Sequence, residues 1–394
     1  MLAPLPSVEA FRRDAVSDGV ELDDGVAASW LESGTRLERA AMTRGPERDR
    51  LLSGLLAQHG VVTFRDSAIS ATALVEAITT LASEMEDQAF FRLAHSVQST
   101  LLLMVPESEV LLRGRVIAVL GRLARHIGEM PAAVRYYQEV ERLGAECGLP
   151  ELTGRAWAGI GILAQLRGDF PESRRLFCAV LDLDGAAPES QSISHGQLMM
   201  AAAAASDYDT AATHAWQAYK NAATPLQEVE ALNNLAQLLL DAGHPQAALR
   251  GFAAVLVRNL ISRHALPALG GAACAAALAL PRQAARALIK NFAERLDGLV
   301  TSLHNGESLP FPSASALVEM SEALAHVGEE GRASDAASRG ELLAAAHGFH
   351  QLSYRLENPT LVAPAKPLAV ASSTTAIIAA VDELEGAELV GAPA

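Results

Sequence analysis

One pattern recurs along the middle of this chain and restricts it to a narrow class of folds: a helix, a glycine-marked turn and a second helix, repeated in register. The first copy runs Ile117-x-x-Leu120-Gly121-x-x-Ala124, turns at Gly128-Glu129-Met130-Pro131 and continues Ala133-x-x-x-Tyr137-x-x-Val140. The second runs Trp157-x-x-Ile160-Gly161-x-x-Ala164, Gly168-Asp169-Phe170-Pro171 and Ser173-x-x-x-Phe177-x-x-Val180. Spacings of three and four put these apolar and small residues on one face of each helix. Gly128, Gly168, Gly243 and Gly328 stand where a helix ends in a left-handed residue. Pro131, Pro171, Pro245 and Pro281 stand where the next helix begins and a missing N–H costs nothing.

Four further copies keep the register. His195, Met199 and Ala202 precede Ser206-Asp207-Tyr208, with Ala211, Ala215 and Ala218 after it. Leu232, Leu235-Ala236 and Leu239 precede Gly243-His244-Pro245, then Ala248, Phe252 and Val255. The fifth copy runs from Ala268 and Gly271-Ala272 through Pro281 to Leu288, and the sixth from Leu317 and Met320-Ser321 through Gly328 to Gly340. From Gly121 to Gly161, Met199, Ala236, Ala272 and Ser321 the steps are 40, 38, 37, 36 and 49 residues. The long last step predicts an extended second helix from about Arg282 to His304, followed by a loop holding Pro310 and Pro312.

This arrangement resembles the tetratricopeptide repeat over roughly residues 110–345, in a form longer than the common repeat of about 34 residues. The resemblance implies an all-α fold, a right-handed α-solenoid of stacked helix-turn-helix hairpins that binds other proteins and does no chemistry. A generic helical bundle is the plainer reading of the same alanine-rich chain. Four segments are expected: a flexible lead-in at 1–25, an N-terminal helical cap or bundle at 26–105, the solenoid at 106–358 and a flexible tail at 359–394. Within 26–105, helices are predicted over about 26–44, 46–59, 70–84 and 87–105. In the tail, the stretch Ile377 to Leu384 can fold back as a helix or act as a docking segment, with disorder the simpler expectation.

Composition excludes several functions. Asp and Glu number 46 against 31 Lys and Arg, a net charge of −15, so a nucleic-acid partner is not expected. Cys147, Cys178 and Cys274 lie far apart on predicted helices and read as buried reduced thiols, which points to a reducing compartment, the cytoplasm. The N-terminus shows no basic region followed by an apolar core, so no signal peptide is expected. Ala265 to Pro281 is uncharged but short and interrupted by Pro267, Gly270 and Gly271, so no membrane span is expected either.

No catalytic constellation, metal site or cofactor is expected. Gly159-x-Gly161-x-x-Ala164 matches a dinucleotide fingerprint only on paper, because both glycines fall inside a predicted helix rather than after a strand. Asp182-x-Asp184-Gly185 lacks the later ligands of a calcium loop. His347, His350 and Glu341 could share a helix face, and they form the weakest reading, that of an enzyme.

The resemblance implies a concave groove lined by the first helix of each hairpin. It places Arg115, Ala118, Arg122 and Arg125, then Arg155, Ala158, Ile162 and Gln165 at one end, and Ile193, Gly196, Met200 and Ala203 next. Glu230, Asn233, Gln237 and Leu240 follow, then Leu266, Leu269, Ala273 and Ala276, then Ser315, Val318, Glu322 and Ala325. Arg115, Arg122, Arg125 and Arg155 form a basic cluster suited to a carboxylate, while Asn233, Asn234 and Gln237 form an amide ladder suited to an extended peptide backbone. The alternative is that the arginines are solvated or paired with Glu129, Glu139 and Glu141. Arg stands where the chaperone-tail-binding subgroup of the family has Lys, and its first Asn is missing, which argues against that partner. The expected function is a non-catalytic scaffold that binds an extended or acidic segment of another protein. The second reading, from a resemblance to bacterial peptide-sensing regulators, is a peptide-responsive regulator whose N-terminal helical region controls a partner.

Overall fold

The glycine and proline punctuation is realised as hairpins in the computed structural model, which describes residues 34–37, 39–40, 51–52, 71–87, 90–258, 262–303, 309–357 and 372–384. Among these residues all regular structure is helical: α1 Ala71–Asp87, α2 Phe91–Met104, α3 Val110–His126, α4 Met130–Cys147, α5 Pro150–Leu166, α6 Phe170–Asp182, α7 Pro188–Ala204 and α8 Tyr208–Lys220. They continue with α9 Pro225–Asp241, α10 Pro245–Leu256, α11 Ser262–Ala279, α12 Arg282–Ser302, α13 Pro310–His326, α14 Glu330–His347, α15 His350–Glu357 and α16 Ser372–Asp382. The six expected hairpins are α3/α4 through α13/α14, and the long second helix of the fifth is α12. The expected lead-in at 1–25 and the predicted helix at 46–59, apart from residues 51–52, lie outside the described residues.

Five of the six turns are closed in the same way; the exception is the turn at Pro281 between α11 and α12, where Pro281 itself caps the next helix at φ −55°. The first residue after the left-handed position donates its N–H back to the end of the preceding helix: Glu129 to Ala124 O (2.8 Å), Asp169 to Ala164 O (2.9 Å), Asp207 to Ala202 O (3.0 Å), His244 to Leu239 O (2.8 Å) and Glu329 to Leu324 O (2.9 Å). Gly128, Gly168, Gly243 and Gly328 take φ near +80°, and in the third hairpin Ser206 does the same at +59°. Side-chain caps from Asp169, Asp207 and Thr224 start α6, α8 and α9.

The chain divides into two compact units, residues 1–190 and 191–394. In the first, α1 and α2 share one core with the repeats: Leu74, Ile78, Leu81, Leu93, Leu101, Leu120, Leu123 and Leu152 belong to a single buried cluster. Packing therefore does not break near residue 105. Each successive helix packs on the one before, from α2 on α1 to α6 on α5, and α5 also packs on α3. In the second unit the same ladder runs from α8 to α15, with α11 touching α9, α10, α12 and α13. Each unit is thus a stack of helix-turn-helix hairpins of the α-solenoid type.

Residues 372–384, expected to be flexible, instead carry α16, which lies on α8 and α10. Cys274 is buried as expected, whereas Cys147 and Cys178 are exposed, at the end of α4 and on α6. No described helix is long and apolar enough to cross a membrane.

Small residues set the distance between helices. A Cβ on Gly121 would lie 3.0 Å from the Tyr137 ring, and one on Gly161 would lie 2.8 Å from Phe177 Cε1. Tyr137 also packs on Gly159 of the next hairpin, so one ring is gripped between two glycines. Gly161→Leu should therefore overpack the α5/α6 contact and lower the unfolding free energy by about 1–3 kcal/mol. Gly196→Ala, where no neighbour lies within 4 Å, should raise it by roughly 0.5–1 kcal/mol through backbone entropy. Denaturant midpoints of the two variants that do not separate in this order would overturn the packing assignment.

Candidate functional site

The four arginines expected at one end of a groove do come together in the first unit, but each is engaged. Arg115 forms a two-pronged pair with Glu151, Nε to Oε1 at 2.6 Å and Nη2 to Oε2 at 2.8 Å. Glu151 also accepts from Arg155 Nε at 3.2 Å, and Arg155 Nη1 reaches on to Glu189. Glu189 lies 3.8 Å from Arg122 Nη1, and Arg122 Nη2 lies 3.0 Å from Glu86. His126 Nε2 stands 3.6 Å from Glu86 and 3.1 Å from Arg125 Nη2, with its ring stacked on Phe91 at 4.7 Å. The result is a ladder of alternating sign running across α1, α3, α5 and the first turn of α7.

Helix geometry explains the ladder. Arg115 and Arg122 are seven residues apart on α3 and so share a face. Glu151 and Glu189 directly follow Pro150 and Pro188, which open α5 and α7, and a carboxylate in the first turn is favoured by the unsatisfied N–H groups there. The hydrogen bond from Arg115 holds the Glu151 carboxyl below the ordinary range. Burial pushes Glu189 up, but Arg155 and Arg122 outweigh it and the net shift is downward. Arg122 is held protonated chiefly by Glu86.

The partners are not the expected ones. Glu139 is bound to Arg142 at 2.7 Å and Glu141 accepts from Trp157 Nε1 at 2.9 Å. Glu151 and Glu189 were legible in one signal that the repeat pattern contains but the apolar register does not, the Pro-Glu doublet at the start of two consecutive hairpins.

In the second unit the amides do not form a free row. Gln237 donates to Asp241 Oδ1 at 2.9 Å. Asn233, one turn earlier on the same stripe, has a buried Oδ1 without a partner. Asn234, one residue on, is rotated about 100° from that stripe. The expected lining of the fifth copy is closed altogether: Leu266, Leu269, Ala273 and Ala276 are fully buried, as are Val318 and, nearly, Glu322. The reason is the close approach of α11 and α13, where a Cβ on Gly270 would meet the Ala316 Cα at 3.1 Å.

Sequence reasoning missed the polar centre that this approach creates. Arg355 of α15 forms a two-pronged pair with Glu322 (2.9 and 2.7 Å) and stands 3.5 Å from Glu319. Asp241 lies within electrostatic range, and Cys274 Sγ donates to the Glu319 carbonyl at 3.3 Å. One guanidinium thus faces three carboxyls. Burial, only partly offset by Arg355 and reinforced by Glu322, pushes Glu319 up to about 7. Burial also raises Asp241 and the Cys274 thiol.

The remaining motifs carry no site. Gly159 and Gly161 lie inside α5 against Tyr137 and Phe177. His347 ends α14 and His350 opens α15, with Gly348 at φ +71° between them, so they do not share a helix face. Among the described residues no group of three or more His, Cys, Asp or Glu could hold a metal ion.

No protein-family model matches the chain, and no curated protein matches it. Among solved structures the chain is similar to BtubC (BKLC) from P. vanneervenii, at 19% identity and a TM-score of 0.38, over 56% of this chain and 86% of that one. It is also similar to a Signal Transduction ATPase with Numerous Domains (STAND) protein with a tetratricopeptide repeat sensor from Pyrococcus horikoshii, at 12% identity and a TM-score of 0.49. That match covers 88% of this chain and 52% of the other, so the chain spans about half its length. Neither likeness carries an assignment of function.

Proposed function

We propose that this chain is a non-catalytic, tetratricopeptide-type interaction scaffold, and that the arginine-lined first helices of its N-terminal unit bind an extended, acidic segment of another protein. The observation that carries this reading is the ladder itself. Each guanidinium has five N–H donors, and the ladder uses only some of them: Arg115 gives Nε and Nη2 to Glu151 and keeps 38% of its side chain exposed. A partner carboxylate or backbone carbonyl has donors to meet, but it competes with Glu151 and Glu189. Affinity is then modest and selective rather than set by bulk charge. Three free cysteines fit a reducing, cytoplasmic setting.

The glutamates supply the test. Reversing Arg122 and Arg155 together would crowd carboxylates and damage the unit as well as the site, so removal of a competitor is the cleaner change. Calorimetry with a hexaglutamate peptide, against hexalysine as control, should show binding of the acidic probe. Glu189→Gln should tighten that binding several-fold, roughly 1 kcal/mol. Equal behaviour of the two probes, or weaker binding by the variant, would sink the reading.

One observation favours the regulator as a second reading. Arg122 is paired with Glu86, which belongs to the N-terminal helical region. A ligand that takes Arg122 releases Glu86, and faster amide exchange in α1 on adding the acidic probe would distinguish a regulator from a passive scaffold.

A further inference from the structure

Two imidazoles meet inside the third hairpin. His195 of α7 and His214 of α8 bring their Nδ1 atoms to 2.9 Å, with ring centroids 5.2 Å apart and planes inclined by 42°. The second hairpin has Trp157 and Leu176 at the same register positions, 38 residues earlier in both cases, so two ligand-bearing rings stand where the preceding repeat has apolar side chains. Both histidines are half-buried. His214 also lines a shallow hollow with Asp209, Thr210 and Thr213, which gives solvent a path to the pair. Lys220 at the end of α8 acts on His195 with a positive field, and Asp209 lends the hollow a negative one.

We propose that His195 and His214 form a two-imidazole chelate for a divalent transition-metal ion of the nickel or copper kind. Imidazole nitrogen is a good ligand for these ions, and both accept ligands at right angles, whereas zinc prefers the tetrahedral angle. Two nitrogens about 2.05 Å from one ion stand about 2.9 Å apart at a right angle and about 3.3 Å apart at the tetrahedral angle. The observed separation matches the first. Before the ion binds, one Nδ1 carries a proton and donates it to the lone pair of the other. The ion takes both lone pairs, and that proton moves to Nε2 of its own ring. A turn of each ring about its Cβ–Cγ bond, a soft torsion, aims the two lone pairs at one point. Water fills the remaining positions, since among the described residues no group of three His, Cys, Asp or Glu forms a metal site. One ligand comes from each helix of the hairpin, so the ion staples α7 to α8. The inference stands apart from the proposed function, which concerns the arginines of the first unit.

The test uses the untagged full-length protein and Ni2+, which probes imidazole without oxidising the exposed thiols of Cys147 and Cys178. Calorimetry should show one ion bound per chain in the parent. His195→Gln and His214→Gln should each weaken that binding at least about ten-fold, because loss of a ligand costs no less than loss of a partner behind one. His347→Gln, at the end of α14, should bind as the parent does. Since a substitution inside the hairpin also loosens it, the parent alone supplies a second readout. Paramagnetic Ni2+ at substoichiometric amounts should shift or broaden the ring-proton resonances of His195 and His214 and leave those of His347 and His350 in place. No heat of binding, equal affinity in all three variants, or a pair of rings that does not respond means that His195 and His214 are hydrogen-bonded only, and overturns the proposal.

Discussion

Replacing Glu86 with Ala should cost the N-terminal unit about 3 kcal/mol, as much as a large packing change in its core. Glu86 keeps 9% of its side chain exposed and Arg122 30%, so the pair is mostly out of water. Removing one member of such a pair strands the other, which is why breaking a buried ion pair costs more than the pair itself contributes. Glu189, at 3.8 Å, is already shared with Arg155 and is a poor substitute. Removing both charges tells the two effects apart: Glu86→Leu with Arg122→Met should lie within about 1 kcal/mol of the parent. Urea midpoints at constant slope measure both. A double variant as damaged as the single one would mean that the ladder stabilises the unit by shape and not by charge.

The second large effect is a pH dependence centred on Glu319. Its native carboxyl keeps its proton to about pH 7, against about 4.5 when unperturbed, because it is buried among Glu322 and Asp241 with only Arg355 to offset them. Between these values the native state binds more protons than the unfolded one, so stability falls as pH rises through this window and levels off above about 7. Glu319→Gln removes the titration while leaving the two-pronged Arg355–Glu322 pair intact. Its advantage over the parent should be absent near pH 4 and grow to about 2 kcal/mol at pH 8.

The parent's own profile is blunted, because His195 acts in the opposite sense. Burial and the neighbouring His214, 2.9 Å away between Nδ1 atoms, hold it down to about 4, so its contribution is present above about 6.5 and lost as pH falls toward 4. The difference between variant and parent isolates Glu319. A gain equal at pH 5 and pH 8 would place the effect in packing.

The hairpins were legible because their signals are local. Gly168 and Pro171 act within a turn of their own positions, and the Gly161–Phe177 contact lies inside one hairpin, so three-and-four spacing is enough to find it. The arginine cluster was legible as a cluster for the same reason, since Arg115 and Arg122 share a face of α3. What they touch was not, because Glu151 and Glu189 come from the next two hairpins and Glu86 from the one before. Only the packing of first helices against each other brings those carboxylates within 4 Å.

The same division holds in the second unit. The sequence by itself determined that α11 is a helix of small residues, but not that α13 would close over it and bury Leu269 and Ala273. That closure depends on Gly270 meeting Ala316 across two hairpins. The centre of Glu319, Glu322 and Arg355 and the seat of α16 on α8 and α10 were likewise decided by tertiary structure. Periodicity states which face of a helix is apolar, whereas the identity of the surface that covers it depends on contacts between residues far apart in the chain.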